Sequence, residues 1–181
     1  MVKRPAVFLD RDGVLCAEVG YVTTIEKLDI FSYSKSSVEL LQQKGYLAIC
    51  ITNQSAVARG MMEEKTLQEL NEYLIEKVGL DGLYYCPHHP EGRGRYRIKC
   101  NCRKPDIGLI ENAIKEWGIE RSGSYMVGDR ASDVICGKKA GLKTALLESG
   151  YGLSRLEETV MPDEIHSDLE SFARAIPKYN M

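Results

Sequence analysis

Short apolar runs alternate along the chain with longer segments in which apolar residues recur every three or four positions. The short runs end in polar residues and are too brief to form helices, so they predict strands. These strands lie at residues 6–10, 46–53, 83–85, 124–129, 143–148 and 164–165. The longer segments predict helices at residues 34–44, 63–78 and 106–117, another that ends near Gly141, and a last one at 168–176.

The order of these elements predicts the fold class. Strands that alternate with helices form crossover units, which give a mostly parallel sheet with helices on both faces. The expected architecture is therefore a three-layer α/β/α sandwich. A chain of 181 residues is close to the size of one domain, so we expect a single domain over residues 1–181, with the segment at 86–105 inserted within it.

Composition and charge exclude several classes of protein. Apolar residues make up 44% of the chain and charged residues 28%, as in ordinary globular proteins. The net charge is −2, whereas proteins that bind nucleic acid usually have a basic excess. The longest apolar run, residues 46–51, is too short to span a membrane, and no signal-like segment is present. We expect a cytoplasmic monomer with neither nucleic-acid nor membrane partners.

Polar side chains stand at the ends of three predicted strands. Asp10 and Asp12 follow the first strand, Thr52 and Asn53 end the second, and Asp129 ends the strand at 124–129. In parallel sheets the ligand crevice lies at the carboxyl ends of the strands. Each residue alone would also suit a turn or a helix N-cap. Together, the clustered carboxylates favour a site for Mg²⁺, which prefers hard oxygen ligands.

The segment at 86–105 has no periodicity and contains three of the six cysteines. Cys86, His88, Cys100 and Cys102 form a Cys₃His set, which suits tetrahedral Zn²⁺, and four protein ligands would make the site structural. His89 is the alternative imidazole, and free thiols on a loop are the alternative without metal. A loop of about 20 residues inside a compact domain is uncommon unless something orders it, which favours zinc.

The other three cysteines, Cys16, Cys50 and Cys136, lie singly in or beside apolar stretches. A disulfide framework is typical of small secreted domains, and free cysteine otherwise behaves as a small apolar residue. We expect all three to be core residues.

Four motifs resemble, in the same order, those of the haloacid dehalogenase superfamily of phosphohydrolases: FLDRDGV at 8–14, ITNQS at 51–55, CRKP at 102–105 and VGDRASD at 127–133. The resemblance implies a Rossmann-like domain without a large cap. It implies that Asp10 is the nucleophile that forms an aspartyl-phosphate. Asp12 would protonate the leaving oxygen and then activate the hydrolytic water.

The same resemblance implies the roles of the remaining motif residues. Mg²⁺ would be held by the Asp10 carboxylate, the Asp12 backbone carbonyl and Asp129. The phosphoryl oxygens would be held by Thr52, Asn53 and Lys104, with Asp133 in a supporting position. Phosphoryl transfer depends mainly on positioning and charge neutralisation, which such a set of groups would supply.

The combination of CPHHPEG at 86–92, CxCRKP at 100–105, GYV at 20–22 and NQSAVARG at 53–60 resembles the bacterial heptose 1,7-bisphosphate phosphatases, relatives of the histidinol-phosphate phosphatases. This implies removal of the 7-phosphate from a small sugar bisphosphate in nucleotide-heptose synthesis, for lipopolysaccharide or S-layer precursors. The resemblance assigns substrate binding to Arg11, Glu18, Val19, Gly20, Tyr21, Asn53, Gln54, Ser55, Arg103 and Arg130. Val14 and Cys16 stand where the family often has Thr and Asn.

Two other functions remain open from the sequence. A histidinol-phosphate phosphatase would need acidic pocket residues for a cationic amine, which Arg103 disfavours. A phospho-acceptor signalling domain also uses acidic residues, Thr and Lys on a parallel sheet. Such a domain carries its acceptor Asp after a middle strand, however, whereas here Asp10 and Asp12 follow the first predicted strand.

Overall fold

A computed structural model describes residues 3–155 and 160–179. Its centre is one six-stranded sheet in the order β3-β2-β1-β4-β5-β6, and every neighbouring pair of strands is parallel. The strands are β1 (Pro5–Leu9), β2 (Leu47–Asn53), β3 (Gly82–Cys86), β4 (Glu120–Gly128), β5 (Lys143–Leu147) and β6 (Glu164–His166). The predicted parallel sheet is therefore confirmed.

Five helices cover the two faces of this sheet. They are α1 (Ser34–Gln43), α2 (Glu64–Val78), α3 (Gly108–Trp117), α4 (Ala131–Lys139) and α5 (Leu169–Ala175). Apolar residues of α1, α2 and α5 share one core cluster with the sheet, and those of α3 and α4 share a second. The three-layer α/β/α architecture is thus confirmed.

The central strand β1 shows how the sequence divides between the two cores. Val7 and Leu9 belong to the core on the α1 side, whereas Ala6 and Phe8 belong to the core on the α3 side. Successive side chains of a strand point to opposite faces, so a strand covered by helices on both sides must be apolar throughout. This explains why the strand segments form continuous apolar runs.

The three isolated cysteines are core residues, as expected. Cys16 and Cys50 are buried in the cluster on the α1 side, and Cys136 is buried in the one on the α3 side. In the described part of the chain, no helix is long and apolar enough to cross a membrane.

Short elements are where the structure departs from the sequence pattern. Strand β4 begins at Glu120, four residues before the predicted start, because the polar residues at its beginning pair with β1 near Pro5. Short 3-10 helices at Ile25–Lys27, Gly94–Tyr96 and Gly152–Arg155 were not predicted. Segments of three or four residues are too brief to show a helical period.

Both end segments of the described chain lie at the amino-terminal edge of the sheet. The Arg4 side chain donates a hydrogen bond to the Gly45 carbonyl, just before β2. At the other end, the Tyr179 backbone N–H donates to the Lys44 carbonyl, and its hydroxyl donates to Glu120 at the start of β4. This edge is opposite to the one at which the strands deliver their polar residues.

Helix α4 lies close to the sheet at Gly137, where no room is left for a side chain. A Cβ atom added to Gly137 would lie 2.6 Å from Cγ2 of Thr144 and 2.7 Å from Cβ of Met126. Both atoms lie close to the backbone rather than at the far end of a flexible side chain, so the sheet and the helix would have to separate. The absence of a side chain at this position therefore fixes the spacing of α4 from β4 and β5.

We predict that Gly137→Ala destabilises the protein by about 1 kcal/mol, and by at most about 2 kcal/mol. Overpacking costs about 1–3 kcal/mol, and this exceeds the gain of about 1 kcal/mol in helix propensity. Urea denaturation measures the change. Lys115→Ala, on the exposed face of α3, is the control and should change stability by less than about 0.5 kcal/mol. An unchanged or increased stability of Gly137→Ala would contradict the close packing.

Candidate active site

The carboxyl ends of the central strands bring the predicted site residues together. Asp10 follows β1, and its backbone N–H donates to the Val127 carbonyl of β4 at 3.0 Å. Thr52 lies near the end of β2, and Asp129 follows β4. Because β1 lies between β2 and β4, Asp10 is flanked on both sides. Asp10 lines a cavity of about 450 Å³, whereas Thr52 and Asp129 are not among the described residues that line it.

Lys104 enters this site from the long loop that precedes α3. Its ammonium group lies 2.9 Å from Oδ1 of Asp10 and 2.7 Å from Oδ1 of Asp133, and it is almost fully buried. Asn53 holds the backbone here: its Oδ1 accepts from the Lys104 N–H at 3.0 Å, and its Nδ2 donates to the Lys104 carbonyl at 3.1 Å. The Asn53 side chain is thus engaged by Lys104 rather than directed freely into the cavity.

Three buried carboxylates, those of Asp10, Asp129 and Asp133, lie within 4.8 Å of one another. Burial raises the pKa of Asp10 to about 6, although the Lys104 ammonium lowers it. Burial and the neighbouring carboxylates of Asp10 and Asp133 raise the pKa of Asp129 to about 7. Burial lowers the pKa of Lys104, but the two adjacent carboxylates raise it further, so this amine stays charged.

The carboxylate cluster leaves a negative charge that one ammonium does not balance. Oδ1 of Asp129 is buried and accepts no hydrogen bond from the described residues, with the Arg130 Nε 3.7 Å away, while Oδ2 accepts the Tyr151 backbone N–H at 2.9 Å. A buried carboxylate oxygen without a hydrogen bond is costly unless a cation binds it. The donor set, all carboxylate oxygen, therefore fits a hard divalent cation such as Mg²⁺.

Glycines permit the close approach of loops around Asp129. A Cβ atom on Gly13 would lie 2.5 Å from Oδ2 of Asp129, and one on Gly150 would lie 2.2 Å from the same atom. Gly13 also has a φ angle of +83°, which favours glycine. The loop after β5 is tied to this region because the Ser149 hydroxyl donates to the Gly13 carbonyl at 2.7 Å.

Asp12 lies in the cavity wall, but its carboxylate is bound by neighbouring protein groups. Arg11 makes two-point contact with it: Nε lies 3.1 Å from Oδ1 and 3.2 Å from Oδ2, and Nη2 lies 2.9 Å from Oδ1. Nε2 of Gln54 donates to Oδ2 of Asp12 and to Oγ1 of Thr52, each at 2.9 Å. The Cys16 thiol, whose pKa is raised by burial, donates to Oδ1 of Asp12 at 3.5 Å.

The structure places Arg11 differently from the substrate-binding role that the motif resemblance implies. Its side chain is 1% exposed, and it is not among the described residues that line the cavity. Val19 also differs, since it is 54% exposed and is absent from the described lining. Of the other residues assigned to substrate, the cavity is lined by Glu18, Gly20, Tyr21, Asn53, Gln54, Ser55, Arg103 and Arg130.

An ion pair crosses the mouth of the cavity. The Arg130 guanidinium pairs with Glu18, which lies 112 residues away along the chain, and it also stacks 4.4 Å above the Tyr151 ring. The motif resemblance named both Glu18 and Arg130, but it gave no reason to expect them to contact each other.

Among the described residues, four more line the cavity that sequence reasoning did not assign to it: Arg59, His89, Ser132 and Tyr151. Arg59 lies 5.9 Å from the Tyr21 ring centre and 3.5 Å from Nε2 of His89. The motif NQSAVARG already contains Arg59. That motif was the signal that could have identified it, whereas His89 reaches the cavity only through the path of its loop.

The long loop contains a second cluster, formed by Cys86, His88, Cys100 and Cys102. The three Sγ atoms are separated by 3.2–3.5 Å, and Nδ1 of His88 lies 3.3 Å from Sγ of Cys102. One ligand atom from each residue falls within 4.8 Å of the others. These donors are of the kind that binds Zn²⁺ in structural sites, and His89 lies outside the cluster.

The loop also docks on the rest of the protein. The Tyr96 hydroxyl donates to Glu64 of α2 at 2.7 Å, and the Arg93 N–H donates to the Ala58 carbonyl at 2.6 Å. Arg103 lines the cavity and donates to the His88 carbonyl at 3.3 Å. The Cys/His cluster and the cavity are therefore connected through one short stretch of chain.

We predict that Asp129→Asn raises the melting temperature at pH 8 by roughly 5 °C in buffer without divalent cations. The pKa of Asp129 is about 7 in the folded protein and near 3.8 when unfolded, so folding is opposed by its ionisation. This cost is present above pH 7 and disappears as the pH falls towards 4.

The same comparison at pH 4.5 provides the control for Asp129→Asn, because the folded carboxyl is then protonated and most of the cost of its ionisation has disappeared. The difference between variant and parent should shrink at this pH. Differential scanning fluorimetry across pH 4.5–8 measures it, and a constant difference would show that ionisation of Asp129 is not the cause.

Comparisons with known proteins agree with this geometry. The family model Hydrolase_like, described as HAD-hydrolase-like, matches residues 101–172. A D-glycero-beta-D-manno-heptose-1,7-bisphosphate 7-phosphatase of Haemophilus ducreyi is 46% identical over 150 residues, covering 80% of this chain and 82% of the relative. The protein of the same name from Escherichia coli K12 is 37% identical over 181 residues, covering 96% and 94%.

A solved structure supports the same relationship. The D,D-heptose 1,7-bisphosphate phosphatase of B. bronchiseptica, complexed with magnesium and phosphate, superposes with a TM-score of 0.83 at 25% identity. The match covers 94% of this chain and 96% of that one. The chain is therefore a phosphomonoester hydrolase of the haloacid dehalogenase-like family, in the group formed by the heptose bisphosphate phosphatases.

Proposed function

We propose that the protein removes the 7-phosphate from D-glycero-β-D-manno-heptose 1,7-bisphosphate. The observation that carries this proposal is the position of Asp10, whose carboxylate lies on the floor of a cavity between the Lys104 ammonium and the cationic side chains of the mouth. The relatives named above act, by their names, on this β-configured substrate. Its product would enter nucleotide-heptose synthesis for lipopolysaccharide or S-layer precursors.

The proposed reaction has two steps at the Asp10 carboxylate. First, an Asp10 oxygen bonds to phosphorus while the bond from phosphorus to the sugar oxygen breaks, and Asp12 gives its proton to that oxygen. Water then attacks the phosphorus of the aspartyl-phosphate, and Asp12 takes a proton from it. Inorganic phosphate leaves, which returns Asp10 to the free carboxylate and Asp12 to the protonated acid with which the reaction started.

We propose that the phosphoryl oxygens are held by the Thr52 hydroxyl and the Lys104 ammonium. Asn53 would contribute mainly by fixing Lys104, since its amide is bonded to the Lys104 backbone on both sides. Asp133 would support the same ammonium from below. Preorganised donors of this kind stabilise the charge that spreads over the transferring phosphoryl group.

Mg²⁺ is the proposed catalytic cofactor. The Asp10 carboxylate, the Asp12 backbone carbonyl and Asp129 would hold it, and the lack of a hydrogen bond to the buried Oδ1 of Asp129 from the described residues supports this assignment. When bound, the ion supplies positive charge that offsets the repulsion between a phosphate and the acidic site. The Tyr151 N–H would keep Asp129 oriented.

The proposed substrate pocket is completed by the residues of the mouth. Arg103, Arg59 and Arg130 bring cationic groups to the cavity, as a second phosphate would require. Glu18, Gly20, Tyr21 and Ser55 would contact the sugar, whereas the Gln54 amide nitrogen is bound to Asp12 and Thr52. We further propose that the chain acts as a single-domain cytoplasmic monomer on this small molecule, with neither nucleic acid nor membrane as a partner.

Zn²⁺ is the proposed structural metal of the loop, held by Cys86, His88, Cys100 and Cys102. Burial raises the pKa of the Cys86 thiol, so four donors this close together need a cation to keep the thiolates ionised. With all four positions filled by protein, the ion would have no open site for substrate. Its proposed effect is to place Arg103 and Lys104.

The substrate proposal predicts a clear preference in phosphate release. The β anomer of the heptose 1,7-bisphosphate should give a kcat/KM at least about tenfold above those of the α anomer and of histidinol phosphate. Asp10→Asn should abolish turnover of all three because it removes the nucleophile. A preference for histidinol phosphate would leave the fold intact and contradict the substrate.

The zinc proposal predicts different metal contents for two neighbouring substitutions. His88→Asn should lose most bound zinc and lower the melting temperature because one of four ligands is gone. His89→Asn, one residue further along, should retain about one zinc per chain. Atomic emission measures the zinc, and equal metal content in the two variants would contradict the assigned ligand set.

A further inference from the structure

Arg11 stands between the two catalytic aspartates, yet its guanidinium is directed at only one of them. It binds both oxygens of Asp12, and its Nη1 has no hydrogen-bond partner among the described residues. Burial lowers the pKa of Arg11, but the Asp12 carboxylate and neighbouring groups raise it further, so the side chain remains a cation. Separating the two charges of a buried ion pair is strongly destabilising, so Arg11 holds the Asp12 carboxylate beside it.

The contact fixes the orientation of the Asp12 carboxylate as well as its charge. A guanidinium is planar and rigid, so a two-point contact aligns it with the carboxylate, which a single-point cation cannot do. Arg11 is 1% exposed, whereas the Asp12 side chain is 14% exposed and forms part of the cavity wall. Arg11 is therefore behind Asp12 as seen from the cavity.

Gln54 holds the same carboxylate from a different strand end. Its single amide nitrogen donates to Oδ2 of Asp12 and to Oγ1 of Thr52, each at 2.9 Å. It therefore links the proposed acid to the hydroxyl proposed to hold the phosphoryl group. Gln54 is 5% exposed, so these contacts are shielded from water.

We propose that Arg11 and Gln54 are positioning residues that hold the Asp12 carboxylate in line with the leaving-group oxygen. This inference rests on the proposed function, in which Asp12 protonates that oxygen. Neither residue gives or takes the proton: the phosphorus–oxygen bond to the sugar breaks, the bond to Asp10 forms, and the proton passes from Asp12 to the sugar oxygen. Arg11 is not among the described residues that line the cavity, so in this proposal it acts on the reaction only through Asp12.

The test compares two phosphate esters that differ in their need for an acid. A sugar alkoxide leaves poorly without a proton, whereas the phenolate of 2,4-dinitrophenyl phosphate leaves without one. Since kcat/KM reports the steps through departure of the leaving group, loss of acid alignment should affect only the sugar ester. A general acid contributes about 10²–10⁴-fold to such a step.

We expect Arg11→Gln to lower kcat/KM for the heptose bisphosphate by about 100-fold, and that for 2,4-dinitrophenyl phosphate by less than about fivefold. Arg11→Lys should recover about tenfold of the loss because it restores the charge without the two-point contact. Gln54→Ala should show the same selectivity with a smaller loss. Arg121→Gln, which removes an ion pair with Glu111 away from the cavity, is the control and should change neither value.

Asp12→Asn separates failure of this inference from failure of the proposed function. If Asp12→Asn lowers kcat/KM equally for both esters, Asp12 is not the acid and the proposed function is wrong. The other outcome is that Asp12→Asn lowers kcat/KM only for the sugar ester. If Arg11→Gln and Gln54→Ala then lower kcat/KM equally for both esters, the positioning role is overturned. Melting temperatures identify a variant that does not fold, and Gln54→Ala with Arg11→Lys then decides the outcome.

Discussion

The rest of the site depends on the ion pairs that the Lys104 ammonium forms with Asp10 and Asp133. Three carboxylates converge where β1 and β4 end, and burying them without a cation would strongly oppose folding. Lys104 contacts Asp10 and Asp133 directly, so it offsets this cost, while Oδ1 of Asp129 accepts no hydrogen bond from the described residues. The fold can therefore hold an anionic nucleophile ready before any phosphate arrives.

Lys104 reaches this position because several unrelated segments cooperate. Asn53 of β2 binds its backbone, and Cys102 of the Cys/His cluster lies two residues before it. Gly128 allows the partner carboxylate to approach, since a Cβ atom there would lie 2.2 Å from Cβ of Asp133. A defect in any of these segments would act on catalysis through the same ammonium.

The sheet and the ends of its strands could be predicted from the sequence because both depend on local patterns. Apolar runs identified the strands. Asp10 and Asp129 each follow a strand, and the parallel topology alone places them at the same edge of the sheet. Contacts between loops were not predictable in this way. The pairing of Glu18 with Arg130 joins residues 112 positions apart, and the approach of His89 depends on how its loop folds.

Arg11 shows a second limit of sequence reasoning. The motif resemblance assigned Arg11 to substrate binding because it lies within DRDG. A resemblance carries no information about the direction in which a side chain points. Along an extended chain, Arg11 should point away from the face shared by Asp10 and Asp12. The Arg11 side chain does lie in the protein interior, and its guanidinium contacts Asp12 from there.

The positions of the two end segments have a practical consequence. Arg4 and Tyr179 are both bound to the amino-terminal edge of the sheet, and the cavity opens at the opposite edge. A support or fusion partner joined near either segment would face away from the cavity mouth. Tethering through either of these segments would therefore leave the cavity open to dissolved small molecules.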